Sequence, residues 1–242
     1  MAGHSKWANI KHKKERTDAK RGKAFTKIGR EIAVAVKEGG ADPAANSRLK
    51  DIVAKAKANN MPSDTISRSI KKAAGELGAI NYESVVYEGY AAGGVAVIVE
   101  ALTDNRNRTA GEVRHSFDKN GGSLGSTGCV SFMFERKGII VIEKSDGVDE
   151  DSLMMLALEA GALDIEDDDD AIEIITDASS FTDVYEVLEN NGYGFALAEV
   201  QMLASNDVDI SGENQESLQR LLDMLEDCDD VQNVYHNAVF DE

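Results

Sequence analysis

The stretch Ile139–Met202, IIVIEKSDGVDEDSLMMLALEAGALDIEDDDDAIEIITDASSFTDVYEVLENNGYGFALAEVQM, decides how the chain folds. Ile139–Glu143 is a short, β-branched apolar run and reads as a strand. Asp151–Ala160 reads as a helix, and Ala162–Glu166 and Ala171–Thr176 as two strands. Phe181–Asn190 reads as a second helix and Phe195–Met202 as a closing strand. The order β-α-β-β-α-β is that of the split ferredoxin-like unit. The acidic run Glu166–Asp170 then falls at the turn between two strands, a solvated position, and it lacks the spacing of a calcium loop.

Working outward, the elements on either side are incomplete by themselves. Before the unit, Ser84–Tyr90 and Val95–Leu102 read as a hairpin across Ala91–Gly94. A helix with Val113 and Phe117 inward follows, closed by Gly121-Gly122, and Val130–Phe134 (VSFMF) reads as a strand. After the unit come a helix at Gln215–Asp227, with Leu218, Leu221, Leu222 and Leu225 on one face, and a strand at Val231–His236. A lone helix–strand pair cannot bury its apolar face, so these flanks are expected to join into one sheet into which the unit is inserted.

Further out, Phe25, Ile28, Ile32 and Val36 recur at the helical period from about Thr17, stopping at Gly39-Gly40. Asp42-Pro43 is expected to cap a second helix carrying Leu49, Ile52, Val53 and Ala56, ended by Asn59-Asn60. Pro62 opens a third, with Ile66, Ile70 and Ala73 inside and Arg68, Lys71 and Lys72 outside, ending at Gly75. The predicted fold is therefore α+β: an N-terminal three-helix bundle plus two ferredoxin-like α+β domains, one inserted into the other. The expected boundaries are 1–78 for a basic arm and bundle, 79–136 with 204–242 for the discontinuous domain, and 137–203 for the insertion.

Charge divides the chain as sharply as pattern does. Up to Gly75 there are 18 Lys and Arg against 7 Asp and Glu, a net of +11. Taken from totals of 26 and 44, the remainder holds 8 against 37, a net of −29. A basic head on an acidic body points to a polyanionic partner. Residues Ala2–Lys14 show no lasting period and read as an extended arm. The candidate nucleic-acid contacts are Lys6, Trp7, Lys11, His12, Lys13, Lys14, Arg16, Lys20, Arg21, Lys23, Lys27 and Arg30. The lysines and arginines would neutralise phosphates, and Trp7, the chain's single tryptophan, would stack on an exposed base. Lys20, Lys23, Lys27 and Arg30 form a basic stripe roughly opposite the apolar face of the first helix. Arg106 and Arg108, at the start of the helix after Thr103, are further candidates, set against the simpler reading that Asn and Thr cap that helix while the arginines pair with carboxylates.

Other function classes find little support. The apolar runs Ile32–Val36 and Val95–Val99 are far too short to span a membrane, and no apolar segment of a secretory signal follows the basic start. Cys129 and Cys228 have no metal-ligand spacing and are expected as reduced thiols. Gly121–Gly128 has the composition of a phosphate loop but lacks its Lys and runs from helix to strand, so it reads as a connection. No nucleophile–base arrangement is present, and no catalytic centre, cofactor or metal is expected.

Several blocks carry a resemblance. Ala2-Gly3-His4-Ser5-Lys6-Trp7, Asp18-Ala19-Lys20-Arg21-Gly22-Lys23, Phe25-Thr26-Lys27 and Asn59-Asn60-Met61 resemble the YebC/PmpR family. So do Tyr87-Glu88-Gly89-Tyr90, Asp104-Asn105-Arg106-Asn107-Arg108-Thr109 and Asp223–Val231, all in the family's order. The resemblance implies a cytoplasmic protein of three domains acting in transcription regulation through DNA binding. Other members of the family, mitochondrial relatives included, resemble translational activators at the ribosome. The partner implied is thus DNA, or alternatively ribosomal RNA, with protein partners for the acidic domains, and no enzyme activity.

Overall fold

A computed structural model describes residues 21–75, 82–144 and 149–240, which divide into two compact units. The first takes in residues 21–75, 82–130 and 211–236, the second residues 131–144, 149–210 and 237–240.

The first unit begins with helices α1 (Arg21–Gly39), α2 (Ser47–Ala58) and α3 (Ser63–Gly75). Ile28, Ile32 and Val36 of α1 meet Leu49, Ile52 and Ala56 of α2 and Ile66 of α3 in one core. The start of α2 corrects the sequence reading. Asp42-Pro43 makes only a separate turn, its Oδ1 accepting from the Ala44 N–H, and Asn46 is the cap. Asn46 is buried because it serves three groups: Oδ1 accepts from the Leu49 N–H (3.0 Å), while Nδ2 donates to the carbonyls of Ala35 and Gly40 (both 2.8 Å).

The hairpin β1 (Glu83–Tyr90) and β2 (Ala96–Thr103) follows, then α4 (Arg106–Lys119) and a two-residue strand β3 (Ser123–Leu124). The second unit opens on β4 (Phe134–Glu143), continues through α5 (Glu150–Ala160), β5 (Ala162–Asp167), β6 (Ala171–Asp177), α6 (Phe181–Asn190) and β7 (Leu197–Ala204), and adds β8 (Val208–Ile210). The chain then returns to the first unit with α7 (Gly212–Asp227) and β9 (Val231–His236), before β10 (Ala238–Phe240) pairs in parallel with β8.

The first sheet has the order β3-β1-β2-β9 and the second β5-β6-β4-β7, with antiparallel neighbours throughout. The second has the ferredoxin-like strand order and the first is a separate antiparallel sheet backed by helices, so the α+β class is as the pattern predicts. In the first sheet, Val113 and Phe117 of α4 pack with Leu218, Leu221, Leu222 and Leu225 of α7 beneath the strands. In the second, the two-residue alternation of β4 splits its apolar run: Ile140 and Ile142 face α5 and α6, and Ile139 and Val141 lie in the opposite cluster.

Two further readings are overturned. VSFMF is not a strand: Ser131–Met133 is a 3₁₀ turn, and Phe134 begins one ten-residue strand that absorbs Ile139–Glu143. The edge strand of the first sheet is instead Ser123–Leu124, inside the glycine-rich segment read as a connection. Glycine there is a packing requirement, because a Cβ on Gly89 would lie 2.5 Å from the Ser123 carbonyl oxygen and one on Gly122 2.8 Å from that of Tyr90. Buried Glu88 fastens the rest of the segment, its carboxylate accepting from the backbone N–H of Gly128 (2.8 Å) and Val130 (3.0 Å).

Candidate nucleic-acid interface

Helix α1 turns its basic residues toward the C-terminal end of α7. Lys23 Nζ donates to the Asp227 carboxylate (2.9 Å) and carbonyl (3.2 Å), and Lys27 Nζ to the Glu226 carbonyl (3.2 Å). The last carbonyls of a helix lack intrahelical partners and carry partial negative charge, so lysines are well placed there. Burial lowers the Lys27 pKa, opposed by the nearby negative charge of Glu226.

Arg30, one turn on, donates to the Leu102 carbonyl (3.0 Å) and to the Asp230 carboxylate, and lies over the Tyr82 ring at 5.6 Å. Asp230 also receives Arg108 Nη2 (2.7 Å), the Thr109 hydroxyl (2.6 Å) and the Thr103 hydroxyl (3.2 Å). Burial alone would raise its pKa, but the hydrogen bonds from Thr109, Arg108 and Arg30 outweigh it and bring the carboxyl to about 2. One carboxylate therefore joins the bundle, β2, the start of α4 and the turn before β9.

The segment Asp104–Thr109 forms the start of α4, with its cap and one arginine paired to carboxylates. Asn105 caps α4, its Oδ1 accepting from the Arg108 N–H at 3.1 Å. Arg108 is held between Asp104 (2.8 Å) and Asp230, which keeps its guanidinium charged well beyond the ordinary range. Arg106 is exposed, and its carbonyl accepts from the Tyr87 hydroxyl at 3.4 Å.

Of the candidate contacts, Lys6, Trp7, Lys11, His12, Lys13, Lys14, Arg16 and Lys20 lie outside the described residues, and Arg21 is placed only as the first residue of α1. Lys23, Lys27, Arg30 and Arg108 are brought together, around the acidic end of α7 and Asp230. Arg68, Lys71 and Lys72 are exposed on α3, as are Lys50 and Lys57 on α2. Asp230 is the residue that sequence reading missed; it sits in an acidic run, Asp227–Asp230 with Cys228 between, that gives no sign of which carboxylate turns inward. Among the described residues there is no cluster of three metal-ligating side chains and no helix long and apolar enough to cross a membrane.

Two family models match, one described as the TACO1/YebC protein N-terminal domain over residues 5–76, the other as the TACO1/YebC second and third domain over residues 82–238. The chain belongs to the TACO1/YebC family. Among similar proteins, a "probable transcriptional regulatory protein" of Acetivibrio thermocellus is 65% identical over 238 residues, 98% of each chain. One of the same description from Caldicellulosiruptor bescii is 59% identical over the whole of both chains. A crystal structure of a conserved hypothetical protein from Aquifex aeolicus superposes with a TM-score of 0.81 at 45% identity, covering 93% of each chain.

Proposed function

We propose that this protein is a nucleic-acid-binding regulator of gene expression, acting on DNA as a transcriptional regulator through its N-terminal arm and helices. The observation that carries the proposal is the charge division, +11 up to Gly75 against −29 beyond it. Relatives of 55–65% identity named probable transcriptional regulatory proteins support the same reading. Lys23, Lys27, Arg30 and Arg108 bind internal acceptors, so they position the bundle. The outward cations of α2 and α3 and those of residues 1–21 meet the phosphates. The domains expected at 79–136 with 204–242 and at 137–203 are, on this reading, the acidic part that contacts other proteins.

The test is fluorescence anisotropy of the full chain with labelled duplex DNA of promoter and random sequence and with a structured RNA of equal length. Replacing Lys11, Lys13, Lys14, Lys20 and Arg21 by Ala removes five charges and should flatten the salt dependence by roughly 0.9 per lost phosphate contact. The melting temperature should hardly change. Equal affinity and salt slope for that variant would overturn the assignment of the surface. A preference for the RNA over promoter DNA would overturn the choice of DNA.

A further inference from the structure

Helix α4 carries an exposed glycine for which the fold has no use. Gly111 lies in the middle of Arg106–Lys119, and a Cβ built on it meets no heavy atom within 4 Å. Its φ is not in the left-handed region, so alanine fits the backbone as it stands. Glycine within an exposed helix destabilises it relative to alanine, because it loses more backbone freedom and covers less of the backbone. The contrast with Gly89, Gly122, Gly125 and Gly138 is direct, since a Cβ on any of these would lie within 3 Å of a neighbouring atom.

What surrounds the gap is basic and polar. Asn107 and His115 stand one turn to either side of Gly111, and Arg108 and Arg114 three residues to either side, all exposed. Of the eight Lys and Arg beyond Gly75, four lie on this helix: Arg106, Arg108, Arg114 and Lys119. Its acidic neighbours are mostly engaged. Asp104 holds Arg108, Glu112 accepts from the Cys228 thiol at 3.1 Å, and Asp118 stands two turns beyond Gly111.

We propose that the α4 face formed by Asn107, Gly111 and His115, with Arg114 at its rim, is a contact site for a sugar-phosphate backbone. The missing side chain lets a strand lie against the helix. The Arg114 guanidinium fork takes phosphate oxygens, and Asn107 and His115 donate to phosphate or sugar. This rests on the nucleic-acid reading above and extends it into the acidic part of the chain.

The test uses the full-length protein and three variants, Gly111→Ala, Gly111→Gln and Arg114→Gln, with duplex DNA and a hairpin RNA of equal length as probes. Both Gly111 substitutions should raise the melting temperature, because both residues favour helix. Gly111→Gln should nonetheless weaken binding about tenfold, and Arg114→Gln should lower the salt slope by about one. The probe on which these losses appear identifies the backbone as DNA or RNA. If Gly111→Gln binds as tightly as the unsubstituted protein, or lowers the melting temperature, the site falls while the nucleic-acid reading stands. If the unsubstituted protein binds neither probe, the nucleic-acid reading falls with it.

Discussion

Replacing Asp230 by alanine tests whether one carboxylate fastens the helical bundle to the first sheet. Its side chain is 4% exposed and that of Arg30 is 16% exposed, so the substitution strands a largely buried guanidinium and leaves the Thr103 and Thr109 hydroxyls without their acceptor. Removing one partner of a buried ion pair costs about 3–5 kcal/mol. A second route gives a similar size: a carboxyl held at about 2 in the folded state, against roughly 3.9 when unfolded, contributes on the order of 2–3 kcal/mol at neutral pH. Arg108 adds nothing to the figure, being solvent-accessible and still paired with Asp104. Urea unfolding followed by circular dichroism should therefore show a loss of about 3 kcal/mol, most of it absent when Arg30 is already replaced by Met. The sign with pH is fixed. Because the folded pKa is the lower one, the contribution is complete above about pH 4 and disappears as pH falls toward 2. The stability gap between the native protein and Asp230→Asn should close over that window. A loss under about 1 kcal/mol, or a gap that does not change with pH, would refute the reasoning.

Three other substitutions follow from contacts described above. Asn46→Ala removes a helix cap and two further hydrogen bonds at a buried site, and should cost about 2–3 kcal/mol by thermal or urea unfolding. Glu88→Ala should release the segment after Leu124, seen as faster amide exchange at Gly128 and Val130 while the α2 amides are unaffected. Gly138→Ala places a Cβ 2.3 Å from Thr176 Oγ1 and 2.6 Å from Phe181 Cδ2, and should destabilise by about 1–3 kcal/mol, measured by differential scanning calorimetry.

The bundle and the inserted unit were legible because their signals are local. A buried stripe at the period of a helix, or a short β-branched apolar run such as Ile139–Glu143, is written in neighbouring residues. The edge strand Ser123–Leu124 was not, because two residues carry no period and its register depends on Gly89, more than thirty positions away. VSFMF misleads for the opposite reason: its residues favour a strand, yet the 3₁₀ turn at Ser131–Met133 delays pairing until Phe134. The pair β8 and β10 escaped notice as two three-residue segments separated by a helix and a strand. The candidate site divides similarly. The excess of cations is a sum over sequence, whereas the inward turn of Lys23, Lys27 and Arg30 depends on where α7 ends, some two hundred residues later.

The path of the chain through the first sheet sets the order in which the molecule can assemble during synthesis. Strand β2 waits for β9, and Arg30 for a carboxylate 200 residues downstream. At about 5–20 residues per second, a bundle leaving the ribosome spends roughly 10–40 seconds without that anchor. The inserted unit is by then translated except for its last short strand, so it folds as an island inside an unfinished neighbour. Loss of the last dozen residues would thus leave two sheets of unequal fate, the later-made one nearly whole and the earlier-made one open along β2.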